Sequence, residues 1–242
     1  MAPFRAPPPP APSTSTGPLP VGAPSASALP ANPCPEEMVL VSGKACPEVE
    51  HTCLKWLDPP PYQNLRCGTY AASPKCLAPR TPMRFCVDRE EHVEPGEKLP
   101  AVDVSFVDAK ARCTAMGRHL CREREWVFAC EGEEMRPYPY GFSRDSTACN
   151  IDQTNLGRPG RGLRDLRAPV SAFPRCLSPF GVHDMTGNVD EWVERESGPQ
   201  RSVLHGGWWL PGRNRCRATT AEHGPEYKAK QVGFRCCKDT AS

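Results

Sequence analysis

The sequence predicts a disulfide-stapled domain in which short strands and two helices are joined by long irregular segments. The 242 residues include 14 Cys and 30 Pro. A helical pattern of apolar residues is confined to residues 103–131, and residues 132–242 are rich in Gly, Asn and Pro. A domain with so much irregular backbone needs covalent or metal staples, which the cysteines can supply.

The spacing of the cysteines favours disulfides over zinc. Structural zinc sites usually show close pairs of ligands, and this sequence contains no C-x-x-C pair. Zinc remains the competing explanation. The even count allows up to seven bridges, and disulfides persist in oxidising compartments. We therefore expect an extracytoplasmic protein that is periplasmic, surface-tethered or secreted.

Charge and hydropathy give no sign of a nucleic acid or a membrane as partner. Lys plus Arg total 30 and Asp plus Glu total 28, so no strong electrostatic attraction to either is expected. No stretch approaches the ~18 apolar residues of a membrane span. The start of the chain lacks the apolar core of a signal peptide. Since disulfides require export, we expect the export information upstream of the given start, or trimmed from it.

Composition divides the chain into an arm and a domain. Residues 1–33 hold 11 Pro and 7 Ala, with PPPP at 7–10, and such a stretch cannot bury enough apolar surface to fold. We predict a disordered spacer; a Pro-rich docking ligand is the alternative. The domain covers 34–242, with a Cys-rich N-terminal part at 34–92 and the main motifs at 93–242.

Local patterns place four elements in the domain. The stretches MVLVSG (38–43) and MRFCVD (83–88) read as short strands. Ser105, followed three residues later by an Asp, predicts a capped helix that ends at Gly117. A second helix is expected to begin near Arg122.

Four further stretches, in this order, resemble the formylglycine-generating-enzyme (sulfatase-modifying-factor) family. They are VDVSFVDAKARCTAMGRHLCREREWVFAC (102–130), CNID (149–152), SPFGVHDMTGNVDEWV (178–193), and HGGWW (205–209) followed by VGFRC (232–236). Each is weak alone, but their order makes the resemblance strong. It implies an α+β fold related to C-type lectins: one compact domain with much irregular structure.

The resemblance implies a calcium site in the DMTGNVDE segment. Asp184 and Glu191 would supply side-chain oxygens, and Gly187 and Val189 would supply backbone carbonyls, a mixture that calcium accepts. The alternative is a turn that is merely capped by its own side chains, Asp184 and Asn188.

A second calcium site is found in some members of the family. Asn150 and Ile151 match the first part of that site. The downstream candidate, Asp165, has several arginines around it, and their positive charge opposes a cation. We therefore do not expect a second ion.

The catalytic cysteines of the family are missing. Formylglycine-generating enzymes hold copper(I) with two cysteines in the interval that corresponds to WWLPGRN (208–214), which contains no Cys. We therefore expect neither copper nor copper-dependent oxidation of a substrate cysteine. The resemblance also implies two structural disulfides, Cys113–Cys236 and Cys130–Cys216.

The remaining side chains suggest a non-catalytic module that binds a peptide, protein or glycan. Aromatic faces and guanidinium groups can hold such ligands. One or both Trp could instead lie in the core, and for Trp208 we expect a core position. The competing function is an oxidoreductase-type enzyme of the same superfamily with a divergent site, using His205, His223 or a free Cys. The candidate groove residues are Trp208, Trp209, Arg213, Arg215, His205 and His223.

Overall fold

The computed structural model describes residues 32–61, 65–157, 160 and 162–240. All but two residues of the arm predicted at 1–33 lie outside these ranges. Asn32–Ser242 form one compact unit. Of the helices that the structure describes, none is both long and apolar enough to span a bilayer.

The described elements are mostly short strands around two helices. The strands are β1 (Met38–Ala45), β2 (Val49–Glu50), β3 (Cys53–Trp56), β4 (Cys67–Tyr70), β5 (Lys75–Cys76), β6 (Thr81–Asp88), β7 (His119–Leu120), β8 (Asp190–Glu194), β9 (Ser202–His205), β10 (Thr219–Thr220), β11 (Val232–Phe234) and β12 (Cys236–Asp239). The helices are α1 (Phe106–Ala115) and α2 (Glu123–Glu131). The predicted strands at 38–43 and 83–88 correspond to β1 and β6.

One four-stranded antiparallel sheet joins the beginning and the end of the domain. Its strand order is β1-β6-β12-β7, and β12 pairs with both β6 and β7. Val41 and Val87 are fully buried on this sheet and join a core cluster with Trp126 of α2. The C-terminal strand therefore lies in the middle of a sheet that begins with β1.

A second four-stranded sheet positions the candidate functional residues. Its order is β10-β9-β8-β11, with β8 and β11 parallel and the other neighbours antiparallel. The four residues of β9 and the first four of β8 are buried. Both the DMTGNVDE segment, which runs into β8, and the loop that follows β9 are thus anchored on a buried sheet.

Both helices begin where the sequence predicts, and α1 ends before the predicted glycine stop. The Ser105 side chain accepts from the Asp108 backbone N–H at 3.1 Å, and the Asp108 carboxylate accepts from the Ser105 N–H, which completes a capping box. After α1 the chain turns at Gly117, whose φ of 68° suits a glycine. Arg122 is the N-cap of α2.

All fourteen cysteines fall within the described ranges and pair in seven disulfides. Both pairs implied by the family resemblance are present, and they close loops with sequence separations of 123 and 86 residues. The six cysteines of 34–92 pair among themselves. The bridges are Cys34–Cys86, Cys46–Cys76, Cys53–Cys67, Cys113–Cys236, Cys121–Cys237, Cys130–Cys216 and Cys149–Cys176.

Candidate functional site

The loop at 206–214 begins with two glycines that no other residue could replace without strain. Gly206 and Gly207 have φ of 91° and 69°. A Cβ on Gly206 would approach the Met185 carbonyl oxygen to 3.1 Å, and one on Gly207 would approach Asn214 Nδ2 to 2.7 Å. The two glycines are therefore required by left-handed backbone and by close packing.

Hydrogen bonds from one buried side chain fix the far end of this loop. Asn214 Nδ2 donates to the Trp208 carbonyl at 2.6 Å, and Asn214 Oδ1 accepts from Arg144 Nη2 at 2.9 Å. The Trp209 carbonyl accepts from the Gln153 N–H at 2.8 Å. The loop is thus held in one conformation, a suitable support for a binding site.

A cavity of about 220 Å³ opens beside this loop, with Asp190, Trp208 and Arg213 in its wall. The Asp190 carboxylate is buried and accepts a 3.1 Å hydrogen bond from the Gly207 N–H. Burial raises the pKa of Asp190 to about 7, although this hydrogen bond opposes the rise. Trp208 is half-buried and Arg213 is exposed. The cavity therefore combines a weakly acidic carboxyl group, an aromatic wall and a guanidinium.

A larger cavity of about 520 Å³ has His205 and Glu123 in its wall. His205 Nε2 lies 2.9 Å from Glu123 Oε1 and 3.0 Å from Thr219 Oγ1. Arg195 donates two hydrogen bonds to the same carboxylate, at 2.7 and 2.8 Å. Burial alone would raise the pKa of Glu123, but the bonds from Arg195 and His205 more than offset it and lower the pKa to about 2. His205 is thus part of a closed polar network.

The six candidate groove residues do not form one groove. Trp208 and Arg213 line the smaller cavity, but His205 lines the larger one. Of the two neighbouring tryptophans in the loop, Trp209 is fully buried and lies in the core, whereas Trp208 is half-buried, so the expected core position of Trp208 is wrong. The two other candidates have local partners: Arg215 Nη1 donates to the Tyr70 hydroxyl at 3.4 Å, and the His223 ring stacks on Tyr227 with centroids 3.8 Å apart.

The calcium ligand set implied by the resemblance does not fit at Glu191. Both of its carboxylate oxygens accept from Arg235, at 2.7 Å from Nε and 2.6 Å from Nη2. Trp126 Nε1 donates a third bond at 2.7 Å. Arg235 and Glu191 have side chains 0% and 1% exposed. Both Glu191 oxygens therefore already bind a guanidinium, and its charge repels a cation.

The other implied calcium ligands, Gly187, Val189 and Asp184, make contacts that hold the backbone turn in place. A Cβ on Gly187 would lie 2.4 Å from the Asn150 carbonyl oxygen, so the close approach requires glycine at this positive φ. The Val189 N–H donates to Glu91 Oε1 at 3.2 Å. Asp184 Oδ2 accepts from the Ser171 N–H at 3.1 Å. Burial raises the pKa of Asp184 to about 7.

The residues of the second implied ion also have partners within the protein. Asn150 Nδ2 donates to Asn188 Oδ1 at 3.0 Å and to the Leu166 carbonyl at 2.8 Å. Ile151 is buried in a small apolar cluster with the Cys149–Cys176 bridge. Asp165 pairs with Arg167 at 2.6 Å. These contacts connect the turn to the neighbouring segments of the chain.

Sequence reasoning missed two buried ionisable residues beside this segment, Arg235 and Glu91. Burial, followed by repulsion from Asp184 and Glu191, raises the pKa of Glu91 well above its usual value. Arg235 sits inside the VGFRC string and Glu91 in an acidic pair. No residue near either one in the sequence indicates that the side chains of Arg235 and Glu91 contact the DMTGNVDE segment in the folded protein.

The topology and the seven disulfides define a stapled α+β domain of the C-type-lectin-like kind, and its 206–214 loop lacks cysteine. The comparisons identify the family. Residues 65–240 match the sulfatase-modifying factor enzyme 1-like domain, and the chain belongs to this family.

Two curated relatives show how far the similarity extends. The inactive C-alpha-formylglycine-generating enzyme 2 of Mus musculus is 34% identical over 152 residues, which are 57% of this chain and 49% of the relative. The formylglycine-generating enzyme of Bos taurus is 31% identical over 170 residues, 58% of this chain and 44% of the relative. The chain thus spans about half the length of the curated relatives it matches.

Two solved structures share the fold. CarF has a TM-score of 0.55 at 16% identity, covering 85% of this chain and 98% of its own. PvdO from Pseudomonas aeruginosa has a TM-score of 0.54 at 19% identity, covering 86% and 95%. At such identities the likeness establishes the fold alone.

Proposed function

We propose that this chain is a non-catalytic, extracytoplasmic binding module that holds a peptide or a glycan at the smaller cavity. The carrying observation is the chemistry of the 206–214 loop. The loop has no cysteine, and all fourteen cysteines of the chain are paired elsewhere. The chain therefore offers no free thiolate pair of the kind with which the formylglycine-generating enzymes hold copper(I). Disulfides in this number also support an oxidising location.

The smaller cavity can hold one polar side chain or one sugar ring. Its volume of about 220 Å³ is below the range of drug-sized pockets. Trp208 offers an aromatic face, and Arg213 can donate to a carbonyl or carboxylate. Asp190 lies in the same wall and, with a pKa of about 7, can donate or accept near neutral pH. These groups support recognition of a single protruding residue on a larger partner.

A binding screen with two variants tests this proposal. Purified domain is screened against displayed peptides and immobilised glycans, and hits are measured by titration. We expect Trp208→Ala and Arg213→Ala each to weaken a genuine ligand at least tenfold, which corresponds to ~1.4 kcal/mol. The matched control is Arg84→Ala, because Arg84 is an exposed arginine on β6, outside the residues that line the cavity. Ligands that bind all four proteins equally would refute the cavity as the binding site.

The competing function, an oxidoreductase-type enzyme, is tested by thiol and turnover assays. His205 Nε2 bonds both Glu123 and Thr219, so it is not free for a metal, and the His223 ring stacks on Tyr227 outside both cavities. We expect no thiol in the denatured, unreduced protein. We also expect no copper-dependent oxygen consumption with a cysteine peptide. A reactive thiol pair together with such turnover would establish the enzyme instead.

A further inference from the structure

Three side chains from two distant parts of the sequence meet beside the sheet that contains β6. Glu90 follows β6, and His183 and Asp184 begin the DMTGNVDE turn. Each offers one potential ligand atom, and these atoms lie within 4.8 Å of one another. Asp184 is 2% exposed, whereas Glu90 and His183 are partly exposed. The group therefore has a buried end and an opening to solvent.

Each of the three side chains has one buried polar atom that lacks a hydrogen-bond partner among the described residues. These atoms are Glu90 Oε2, His183 Nδ1 and Asp184 Oδ1. Buried polar atoms in folded proteins are almost always satisfied, and each exception needs an explanation. Three exceptions on neighbouring side chains are explained together if all three atoms face one missing partner.

Neighbouring residues hold one further carboxylate oxygen of Asp184, one of Glu90, and the backbone of His183. Ser171 donates its N–H to Asp184 Oδ2 at 3.1 Å and its hydroxyl to Glu90 Oε1. The His183 N–H donates to the Arg89 carbonyl at 2.9 Å, and Arg235 Nη2 donates to the His183 carbonyl at 3.0 Å. Such outer contacts orient the ligands of a metal site and leave the inner atoms free to coordinate.

We propose that Glu90, His183 and Asp184 bind a zinc ion. One imidazole nitrogen and two carboxylate oxygens are ligands that zinc accepts, with a fourth position left for water. Calcium and magnesium prefer oxygen alone, so the histidine disfavours them. Zinc bonds of about 2.0–2.2 Å would draw the three atoms together from their present spacing. The site keeps Asp184 as a ligand but replaces Glu191, whose carboxylate is taken by Arg235.

A second cluster of ligand-type residues differs in a way that makes it a useful control. His119, Glu125 and Asp239 also lie within 4.8 Å of one another. There His119 Nε2 already bonds Glu125 Oε2 at 2.9 Å, and Arg122 Nη1 lies 2.6 Å from Glu125 and 3.1 Å from Asp239. The guanidinium satisfies these carboxylates, and its charge opposes a cation.

The test uses the full chain, untagged, with Zn²⁺ as the probe. Protein freed of metal by chelation without reductant is titrated by calorimetry, and bound zinc is counted by mass spectrometry after equilibrium dialysis. We expect one zinc per chain. Glu90→Gln and His183→Gln should each raise the dissociation constant about a hundredfold, and His119→Gln should leave it unchanged. Bound Co²⁺ should show the visible absorption of low coordination number in the wild type and lose it in the first two variants.

Three results would overturn the site. The wild type could bind no zinc at micromolar concentration. All variants could bind zinc with the same dissociation constant as the wild type. Zinc binding could be weakened in His119→Gln alone. Near-UV circular dichroism checks the fold of each variant. Glu90 is partly exposed, so Glu90→Gln should fold normally and decides the matter if His183→Gln does not fold.

Discussion

The two ends of the segment 184–191 carry a buried carboxylate each, and the two differ in their partners. At one end, Glu191 receives three hydrogen bonds, two from Arg235 and one from Trp126. At the other end, Asp184 receives one on Oδ2, and its Oδ1 has no partner in the described part of the chain. The first end is closed by the Arg235 guanidinium, which at the second end bonds the His183 carbonyl and not the Asp184 carboxylate. Residues outside the segment make this difference.

A motif of this kind specifies a backbone more firmly than it specifies a ligand set. Gly187 is required by the close approach of the Asn150 carbonyl, whichever ion is bound nearby. A buried charge is tolerated when an opposite charge and hydrogen bonds accompany it, and Arg235 provides both for Glu191. The same physics leaves Asp184 in need of a cation or a proton.

The closed end gives the largest expected effect. Arg235→Met leaves the Glu191 carboxylate buried without its counter-charge, which should lower the free energy of unfolding by about 3–5 kcal/mol. The double variant Arg235→Met/Glu191→Leu should recover at least half of that loss, because both charges are then gone. Urea denaturation followed by tryptophan fluorescence measures both.

An exposed pair provides the matched control for that substitution. Arg175 is 62% exposed and pairs with Asp145 at 3.0 Å, so Arg175→Met should cost no more than ~1 kcal/mol. If Arg235→Met were as mild as Arg175→Met, the closed end would not be a buried ion pair, and Glu191 would again be available as a metal ligand.

The same contrast between paired and unpaired carboxylates predicts opposite pH dependences at the two cavities. In the folded state the pKa of Asp190 is raised to about 7, from an ordinary value of 3.8. Between these two pH values the folded state therefore keeps a proton that the unfolded state has released. Its contribution to stability is thus present below pH ~4 and lost as the pH rises through about 7. Asp190→Asn should therefore gain stability relative to the wild type over that rise, by up to about 4 kcal/mol for a pKa that is raised from 3.8 to about 7.

Glu123 should behave in the opposite sense. Its pKa is lowered from 4.5 to about 2, so its contribution is present above pH ~4.5 and lost as the pH falls through about 2. Glu123→Gln should cost up to about 3 kcal/mol at neutral pH, for a pKa that is lowered from 4.5 to about 2, and approach the wild type in acid. Thermal unfolding of both variants from pH 2 to 8 checks the pair. Parallel curves for the two variants would contradict the assignment of one paired and one unpaired carboxylate.

Much of the fold could be predicted from the sequence because the signals are local. The capping box at Ser105 and the glycine stop at Gly117 depend on residues within one turn, and both are found. The family strings added the fold and two of the seven disulfides. The other five bridges could not be paired, because connectivity depends on how distant strands are placed.

The candidate site was harder to predict because its residues meet across the fold. The resemblance placed Glu191 at a metal, but Arg235 lies 44 residues further along and reaches it through the parallel pairing of β8 with β11. Trp208 and Trp209 are neighbours in sequence, yet only the second is buried, since alternate side chains of an irregular loop face different ways. Periodicity does not specify such positions.

The smallest expected effect concerns calcium, for which the closed end makes a negative prediction. Adding millimolar Ca²⁺, or a calcium-selective chelator, should change the melting temperature by less than ~1 °C. For a chain of this length, that shift corresponds to a change of under ~0.5 kcal/mol in the free energy of unfolding. Zinc serves as the positive control and should raise the melting temperature. At a hundredfold excess over its dissociation constant, its binding should increase the free energy of unfolding by about 2.7 kcal/mol. A calcium-dependent rise of several degrees that Glu191→Gln abolishes would show that the ion displaces Arg235 from its carboxylate. The guanidinium would then have to leave a fully buried position with its charge unpaired, which is the physical reason to expect calcium to have no effect.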